Sequence, residues 1–303
     1  MVLAPSGEQF EIVLGDQRAV VVEVGGGLRS YAIAGRDLID GYDAGEMSTS
    51  GRGQVLIPWP NRVQAGSYEF GGRSHQLALD EPSAGNAIHG LVRWAVWRIA
   101  EREGNRVVVA HTLHPQPGYP FALELSIEYT LSDRGLQART TATNAGTDPC
   151  PFGSGAHPYL TLGTGPVDSV QLHVPARTVL HSDEHGIPAG SGAVDGTEYD
   201  FSRPRPIGAT KLDTAFTDLE RDEDGIARVE LRRSDGGSGV TLWVGERYSY
   251  LMLYTGDDRP DVNRRSLAVE PMTCPPNAFR SGDDLIVLEP GDSFQGSWGI
   301  GPL

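Results

Sequence analysis

The chain has 303 residues, a formal net charge of -15 and only 25 basic residues, most of them arginines scattered along the sequence. This balance argues against a nucleic-acid-binding protein, because neutralising phosphates takes clustered Lys and Arg. The two cysteines, Cys150 and Cys274, form no Cys-x-x-Cys pair. They therefore indicate neither a disulfide framework nor a structural zinc site.

The N-terminal stretch lacks a basic segment followed by an apolar run, and no window is apolar for the length of a membrane span. We therefore expect a soluble, cytoplasmic protein without membrane contact. The 39 glycines and 21 prolines predict many turns, but no stretch of them divides the chain like a linker. We expect one domain over residues 1–303.

Apolar and polar residues alternate along most of the chain, which is the pattern of half-buried β-strands. The predicted strands, in chain order, are 10–14, 19–24, 29–33, 94–98, 107–113, 123–131, 136–142, 171–174, 229–232, 240–244, 250–254, 267–270 and 293–298. The segment 183–206 is predicted to be a long surface loop near the site, and 275–279 to open a short helix. Many short strands with few short helices predict an all-β protein, a large antiparallel sandwich or barrel.

Two segments in the first third of the chain carry candidate ligand-binding residues. Asn61 and Arg62 follow a Pro-Trp-Pro turn, and the planar donors of an arginine suit an oxygen-rich ligand. His89 precedes a glycine turn in the sequence NAIHGLV. The alternatives are an arginine that binds loop carbonyls and a buried turn histidine.

His157 lies in the stretch PFGSGAHPYL, after four small residues that allow a close approach of a ligand or backbone. Pro158 favours an extended conformation at His157 and predicts that the strand stops there. A neutral imidazole at a strand end suits proton transfer near pH 7. Taken alone, this stretch is more typical of a histidine that packs and hydrogen-bonds in a turn.

Glu270 ends a predicted apolar strand and precedes Pro271 in the stretch LAVEPMTCPPNAF. Packing does not need a carboxylate at that position. Partial burial would raise its pKa and make it a usable base. The alternative is a strand-end glutamate paired with an arginine.

Together these stretches resemble the aldose 1-epimerase (mutarotase) family. The matching marks are PWPNR with a following Gly-Gly hairpin, NAIHGL, HPYL, LDTAF at 212–216 and AVEP, in the family's order over about residues 51–299. Each mark alone is weak, and five in order are strong. The sequence has Leu160 where many members have phenylalanine.

The resemblance implies a galactose mutarotase-like β-supersandwich and interconversion of sugar anomers without a cofactor or a metal. It implies Glu270 as general base, His157 as general acid, and Arg62, His89 and Asp213 as substrate-binding residues. We expect Glu270 and His157 to face each other across a cleft one pyranose ring wide. The expected partner is a small sugar, and the expected state is a monomer or homodimer.

Other functions stay open at this point. A phosphorylated or sulfonated sugar would need further cations, for which Arg93, Arg203 and Arg205 are candidates. A carbohydrate-binding protein of the same fold would lack turnover. A glycosidase could use Asp213 and Glu270 as its two carboxylates.

Three further interpretations are weaker. No G-x-S-x-G elbow marks a hydrolase. The pairs His181 with His185 and His111 with His114 are expected on strands or loops, where their spacing does not place two imidazoles on one helical face, so a metal site there is disfavoured. The tryptophans that could stack on a sugar are expected to pack in the core instead; they are Trp59, Trp94 and Trp97.

Overall fold

The computed structural model describes residues 4–163 and 165–303, and it is built almost entirely of β-strands. Its helical elements are α1 (Ala278–Ser281) and a 3-10 turn (Val167–Ser169). The strands are β1 (Gln9–Leu14), β2 (Gln17–Val22), β3 (Leu28–Ile33), β4 (Arg36–Asp37), β5 (Val55–Leu56), β6 (Arg62–Gln64), β7 (Ser67–Phe70), β8 (Arg73–Gln76), β9 (Asn86–Ile88), β10 (Arg98–Glu103), β11 (Arg106–Leu113), β12 (Leu123–Ser132), β13 (Gly135–Asn144), β14 (Cys150–Phe152), β15 (Gly155–Ala156), β16 (Tyr159–Leu160), β17 (Gln171–His173), β18 (Ala176–Ser182), β19 (Pro188–Ala193), β20 (Arg205–Pro206), β21 (Asp213–Leu219), β22 (Ala227–Arg232), β23 (Gly239–Val244), β24 (Tyr250–Tyr254), β25 (Leu267–Met272), β26 (Ile286–Leu288) and β27 (Ser293–Pro302).

Two large antiparallel sheets dominate the fold. One has nine strands in the order β10-β11-β12-β13-β27-β23-β22-β17-β20. The other has eight, in the order β19-β18-β21-β24-β25-β15-β5, with β16 also pairing with β25. A four-stranded sheet, β1-β2-β3-β4, and three two-stranded ribbons complete the structure. The expected antiparallel β architecture with few short helices is confirmed.

The nine-stranded sheet has one buried face and one solvated face. In β12 every second side chain, from Leu123 through Ile127 to Leu131, is buried, and the residues between them face outward. β13 pairs with β12 over ten residues in one unbroken register. This is the alternation that the sequence predicts, because only one face contributes to the core.

The eight-stranded sheet is buried on both faces at its centre. In β25, Leu267 and Val269 join the main hydrophobic core, whereas Met272 belongs to a separate small cluster that also contains Ala215 and Met252. All six residues of β25 are buried. Apolar and polar residues therefore do not alternate along β25. Its second face forms one side of the site described below.

Several expected boundaries are wrong, and three of them concern segments near the site. The strand expected at 94–98 begins only at Arg98, because Trp97 turns into the core and Val96 forms a single bridge to Val24. The loop expected at 183–206 contains β19, which pairs with β18. The strand expected to end at Glu270 continues to Met272, since Pro271 keeps its place opposite Leu251.

The two cysteines, Cys150 and Cys274, are unpaired and buried, as expected of small apolar residues. No helix among the described residues has the length and apolar character to cross a membrane.

Candidate active site

Strand register brings His157 and Glu270 together. β15 and β16 both pair with β25, with Gly155 opposite Met272 and Tyr159 opposite Ala268. The same register places His157 directly opposite Glu270, on the same face of the sheet. Side chains in such a cross-strand pair are direct neighbours, and His157 Nε2 lies 3.3 Å from Glu270 Oε1.

The expectation of a gap one pyranose ring wide between these two side chains is therefore wrong. They lie side by side on one wall, because cross-strand neighbours start from Cβ atoms only about 4.5–5.5 Å apart. The expected break at Pro158 is present: β15 ends at Ala156 and β16 begins at Tyr159.

The His157 ring is held on several sides. Its backbone N–H donates to the Gln54 carbonyl at 3.0 Å, and its carbonyl accepts from the Gly53 N–H at 2.9 Å. The Tyr159 ring stacks on it at 5.0 Å with an interplanar angle of 13°. Gly51 covers another side so closely that a Cβ there would lie 2.5 Å from His157 Cδ2. The imidazole thus has little freedom to rotate.

His89 lies next to His157 in a left-handed turn, with φ 63°. The backbone N–H of Asn61 donates to His89 Nδ1 at 3.2 Å. That bond assigns the hydrogen of the neutral ring to Nε2. The two imidazoles meet edge to face, with ring centroids 5.3 Å apart.

Arg62 is fixed by carboxylates and not by loop carbonyls. Its Nε and Nη2 donate to the two oxygens of Glu81 at 2.9 Å each, and its Nη1 lies 3.7 Å from Asp213. Gly186 packs on the same guanidinium, and a Cβ there would lie 2.5 Å from Nη1. The Asp213 side chain is half exposed, at 50%.

All five predicted site residues line one cavity of about 990 Å³. That volume lies at the upper end for small-molecule sites, about 300–1,000 Å³. Trp94 also lines it and is 49% exposed, so the expectation that it packs in the core is wrong, whereas Trp59 and Trp97 are buried as expected. The predicted loop segment contributes as well, through His185 and its neighbours.

Of the three arginines proposed from the sequence for an anionic sugar, one reaches the cavity. Arg93 lines it and donates to Asp80 at 2.5 Å. Arg203 and Arg205 are not among the described residues of the lining, and Arg205 Nε donates to the Asp200 carbonyl. The lining also includes Arg259, which the sequence did not single out.

Burial sets the electrostatics of the central pair. Burial raises the pKa of Glu270 well above its ordinary value, Asp213 raises it further, and Arg62 opposes them. Burial lowers the pKa of His157 to about 3. Burial and the neighbouring His157 also lower the pKa of His89. The close His157–Glu270 contact is therefore a contact of neutral groups and not an ion pair.

Potential metal ligands converge at the same place. One ligand atom from each of His89, His157 and Glu270 lies within 4.8 Å of the other two. Within residues 4–163 and 165–303 this is the one cluster of three or more such side chains, and the histidine pairs considered from the sequence do not belong to it.

Several residues that shape the site were not predicted. Glu81 anchors Arg62, and Gly51 and Gly186 make room for His157 and Arg62. Both glycines have positive φ, but so do many turn glycines of this chain. Their sequence signal is therefore no stronger than that of an ordinary turn.

Comparison with known proteins shows the family to which the chain belongs. A family model described as aldose 1-epimerase matches residues 11–300. The uncharacterized protein YihR of Escherichia coli strain K12 is 38% identical over 288 residues, which cover 94% of this chain and 90% of that protein.

Solved structures share the whole fold at low sequence identity. A GalM/aldose epimerase homologue from C. elegans superposes with a TM-score of 0.86 at 18% identity, covering 98% of each chain. The galactose 1-epimerase from Lactobacillus acidophilus NCFM gives 0.79 at 23% identity, covering 95% of this chain and 91% of its own. The expected mutarotase-like supersandwich is confirmed.

Proposed function

The chain belongs to the aldose 1-epimerase family, and we propose that it interconverts the α and β anomers of an aldose by opening and reclosing the sugar ring. The observation that carries the proposal is the contact between His157 and Glu270 at the wall of a polar cavity, 3.3 Å apart. One group can give a proton while the other takes one, and both face the same space.

Adjacent placement suits this reaction better than opposite placement. Ring opening removes a proton from the C1 hydroxyl and delivers one to the ring oxygen. Both oxygens are bonded to C1, so two neighbouring side chains can reach them from one side of the sugar. The cross-strand register supplies such a pair without any movement of the backbone.

We assign Glu270 as the general base and His157 as the general acid. Glu270 takes the proton of the C1 hydroxyl while His157 donates a proton to the ring oxygen, and the C1–ring-oxygen bond breaks as the C1 carbonyl forms. Rotation about C1–C2 presents the other carbonyl face. The ring oxygen then attacks C1, both protons return, and the opposite anomer leaves.

This cycle requires that the pair hold one proton in total when the sugar binds. Before the sugar binds, that proton rests on Glu270, since burial disfavours both charged forms. Sugar hydroxyls that donate to the carboxylate stabilise its ionised form. Glu270 Oε2 is buried without a hydrogen-bond partner among the described residues, and it is the atom available to accept such a donor.

The remaining predicted residues are proposed to position the sugar. His89 presents its Nε2 hydrogen toward the pair, because Nδ1 already accepts from Asn61. Arg62 is held rigidly by Glu81 and Asp213, so its remaining donor capacity is oriented before a ligand arrives. Asp213, half exposed in the cavity, can accept from a hydroxyl.

We propose a neutral aldose as the substrate. The lining contains seven acidic residues and three arginines, so it offers no net positive charge to an anion. An anionic sugar is the second candidate, because Arg259 is 55% exposed and its nearest carboxylate, on Asp258, lies 3.6 Å away. Arg259 is the residue that would bind the anionic substituent of such a sugar.

Two-dimensional exchange NMR on neutral, phosphorylated and sulfonated aldoses tests the proposal. The rate of α-to-β exchange is measured with enzyme, without enzyme and with Glu270→Gln, since spontaneous mutarotation must be subtracted. We expect acceleration for at least one neutral aldose and its loss in Glu270→Gln. Sugar binding without acceleration for any member of the panel would instead indicate a carbohydrate-binding protein.

A further inference from the structure

We propose that His89, His157 and Glu270 form a binding site for a zinc-like divalent transition cation, and that the bound cation competes with the sugar. The three side chains are two imidazoles and one carboxylate, a ligand set that proteins use for zinc with a fourth position left open. They are 8%, 4% and 2% exposed, respectively, and all line the cavity.

The distances fit such a site. Zinc bonds of about 2.0–2.2 Å in a tetrahedron separate neighbouring ligand atoms by about 3.3–3.5 Å. His157 Nε2 and Glu270 Oε1 are already 3.3 Å apart. That is long for a strong charge-assisted hydrogen bond, which is about 2.7–2.9 Å. The third atom, from His89, lies within 4.8 Å of both, so the His89 side chain has to move closer to the pair to complete the set.

The available lone pairs also fit. His89 Nδ1 accepts from Asn61, which leaves Nε2 to bind the metal once its hydrogen is displaced. Glu270 Oε2 has no partner among the described residues, so the carboxylate has an unused oxygen inside a buried site. Such an orphaned acceptor is an independent indication that something from the cavity binds here.

The surrounding charge favours a cation. Arg62 and Arg93 are the guanidinium groups that act on the three side chains, and the charge of Arg62 is balanced by Glu81 and Asp213. Arg93 is likewise balanced by Asp80. The electrostatic repulsion between either arginine and a divalent cation at the cluster is therefore weakened.

The expected consequence is inhibition. A metal on Glu270 and His157 occupies the lone pairs that proton transfer needs, and it fills the space beside them. The binding site does not depend on the proposed function, whereas the inhibition does. Metal binding and anomer exchange are therefore measured separately.

The experiment is a titration of the chelator-treated, full-length protein with Co²⁺ and Zn²⁺. We expect one Co²⁺ per chain with the intense visible absorption of a four-coordinate ion, displaced by Zn²⁺. Calorimetry gives the Zn²⁺ affinity directly. Any anomer exchange should fall as the site fills and return when a chelator is added.

Variants locate the ion. Glu270→Gln keeps the size of the side chain, and His89→Asn suits the left-handed backbone there, since asparagine tolerates positive φ. Each should weaken Zn²⁺ binding by more than about 100-fold, because even second-shell changes cost about 10–100-fold. His181→Asn is the matched control in the same cavity, and it should keep the wild-type affinity.

Circular dichroism verifies that each variant is folded. Three results would overturn the proposal: no Zn²⁺ binding to the wild-type protein, unchanged binding in both Glu270→Gln and His89→Asn, or loss of binding in His181→Asn. Binding with full anomer exchange retained would place the ion away from the acid–base pair and would overturn it as well.

Discussion

The two large sheets are built differently, and the difference explains where the site lies. In the nine-stranded sheet β12 and β13 pair over ten residues, with one face in the core and the other in solvent. In the eight-stranded sheet β15 and β16 have two residues each, and β25 is buried on both faces. The regular nine-stranded sheet contributes one whole face to the hydrophobic core. The interrupted eight-stranded sheet carries the contact between His157 and Glu270.

The interruption in the eight-stranded sheet keeps its register. β15 and β16 flank His157 and Pro158, yet both remain paired with β25 in one register. His157 is therefore outside a regular strand but still opposite Glu270. An irregular segment that is paired with a neighbouring strand at both ends can fix the position of a side chain as precisely as a regular strand does.

The two sheets also differ in what they contribute to stability. The buried face of the nine-stranded sheet carries apolar side chains, such as Leu125, Ile127 and Tyr129. The site face of the other sheet buries an acid and an imidazole, and Glu270 Oε2 and His157 Nδ1 have no hydrogen-bond partner in the part of the chain that the structure describes. A buried polar atom without a partner costs about 1–3 kcal/mol. The site face should therefore lower the free energy of unfolding, which the apolar face of the nine-stranded sheet raises.

The largest expected effect comes from breaking the acid–base pair. Glu270→Gln and His157→Asn should each lower kcat for anomer exchange by about 10²–10⁴-fold, the usual contribution of a positioned acid or base. Because the two act as a unit, the double variant should lose little more than either single variant. Exchange NMR above the spontaneous background measures all three, and multiplicative losses would show that the residues act independently.

The pair should also titrate as a unit. With the reacting atoms 3.3 Å apart, the two limbs of a bell-shaped pH profile belong to the pair and not to either residue. Neither limb is therefore assigned to Glu270 or to His157 alone.

The next largest effect is expected in the nine-stranded sheet and concerns only the free energy of unfolding. Ile127→Ala removes a buried side chain from β12 and should lower the free energy of unfolding by about 2–5 kcal/mol. Ile127→Val should cost about 0.5–1.5 kcal/mol. Urea unfolding gives both values. Where the protein is still folded, kcat should equal that of the wild type, and a parallel fall in kcat would show that the sheets are coupled.

The accuracy of the strand prediction from the sequence also differs between the two sheets. The alternation in β12 and β13 predicts them almost to the residue, because one solvated face preserves the pattern. β21 and β18 were not predicted, and β25 was predicted short. In a strand buried on both faces, or shaped around a cavity, polarity no longer reports which side a residue faces.

The site residues were predicted by resemblance, and their arrangement was not. Motif order identified His157, Glu270, Arg62, His89 and Asp213, which line one cavity. The contact of the first two depends on β15, β16 and β25 sharing a register. Register is a long-range property, and two-residue strands at 155–156 and 159–160 carry too little pattern to fix it.

A smaller effect on activity is expected from the packing around His157. In Gly51→Ala the added Cβ would lie 2.5 Å from His157 Cδ2, so the ring must shift. Misplacing a reacting group by about 1 Å can cost about 10²-fold in rate. Gly35→Ala is the matched control, since Gly35 has φ 75° against 76° for Gly51 and open space around it. Equal losses in both would assign the effect to backbone strain.

The smallest expected effect is a pH-dependent difference in stability between Glu270→Gln and the wild type. The raised pKa of Glu270 means that, above its ordinary value of 4.5, the folded protein retains a proton that the unfolded chain releases. The native state binds more protons in that range, so wild-type stability falls as pH rises through it. His157, with its pKa lowered to about 3, acts oppositely: its contribution is lost as pH falls from its ordinary value of 6.5 toward 3.

Glu270→Gln removes only the first of these contributions. The variant should therefore gain stability relative to the wild type as pH rises from about 5 to about 8, and the two should be closest at the acid end. Urea unfolding of both proteins across that range measures the difference. A difference that instead stays constant with pH would mean that the folded wild-type pair holds no proton, with Glu270 ionised and His157 neutral. The pair would then have no proton to give to the ring oxygen when the sugar binds, and the proposed cycle would be contradicted. One proton on either side chain gives the same slope, because only the total number of bound protons enters it.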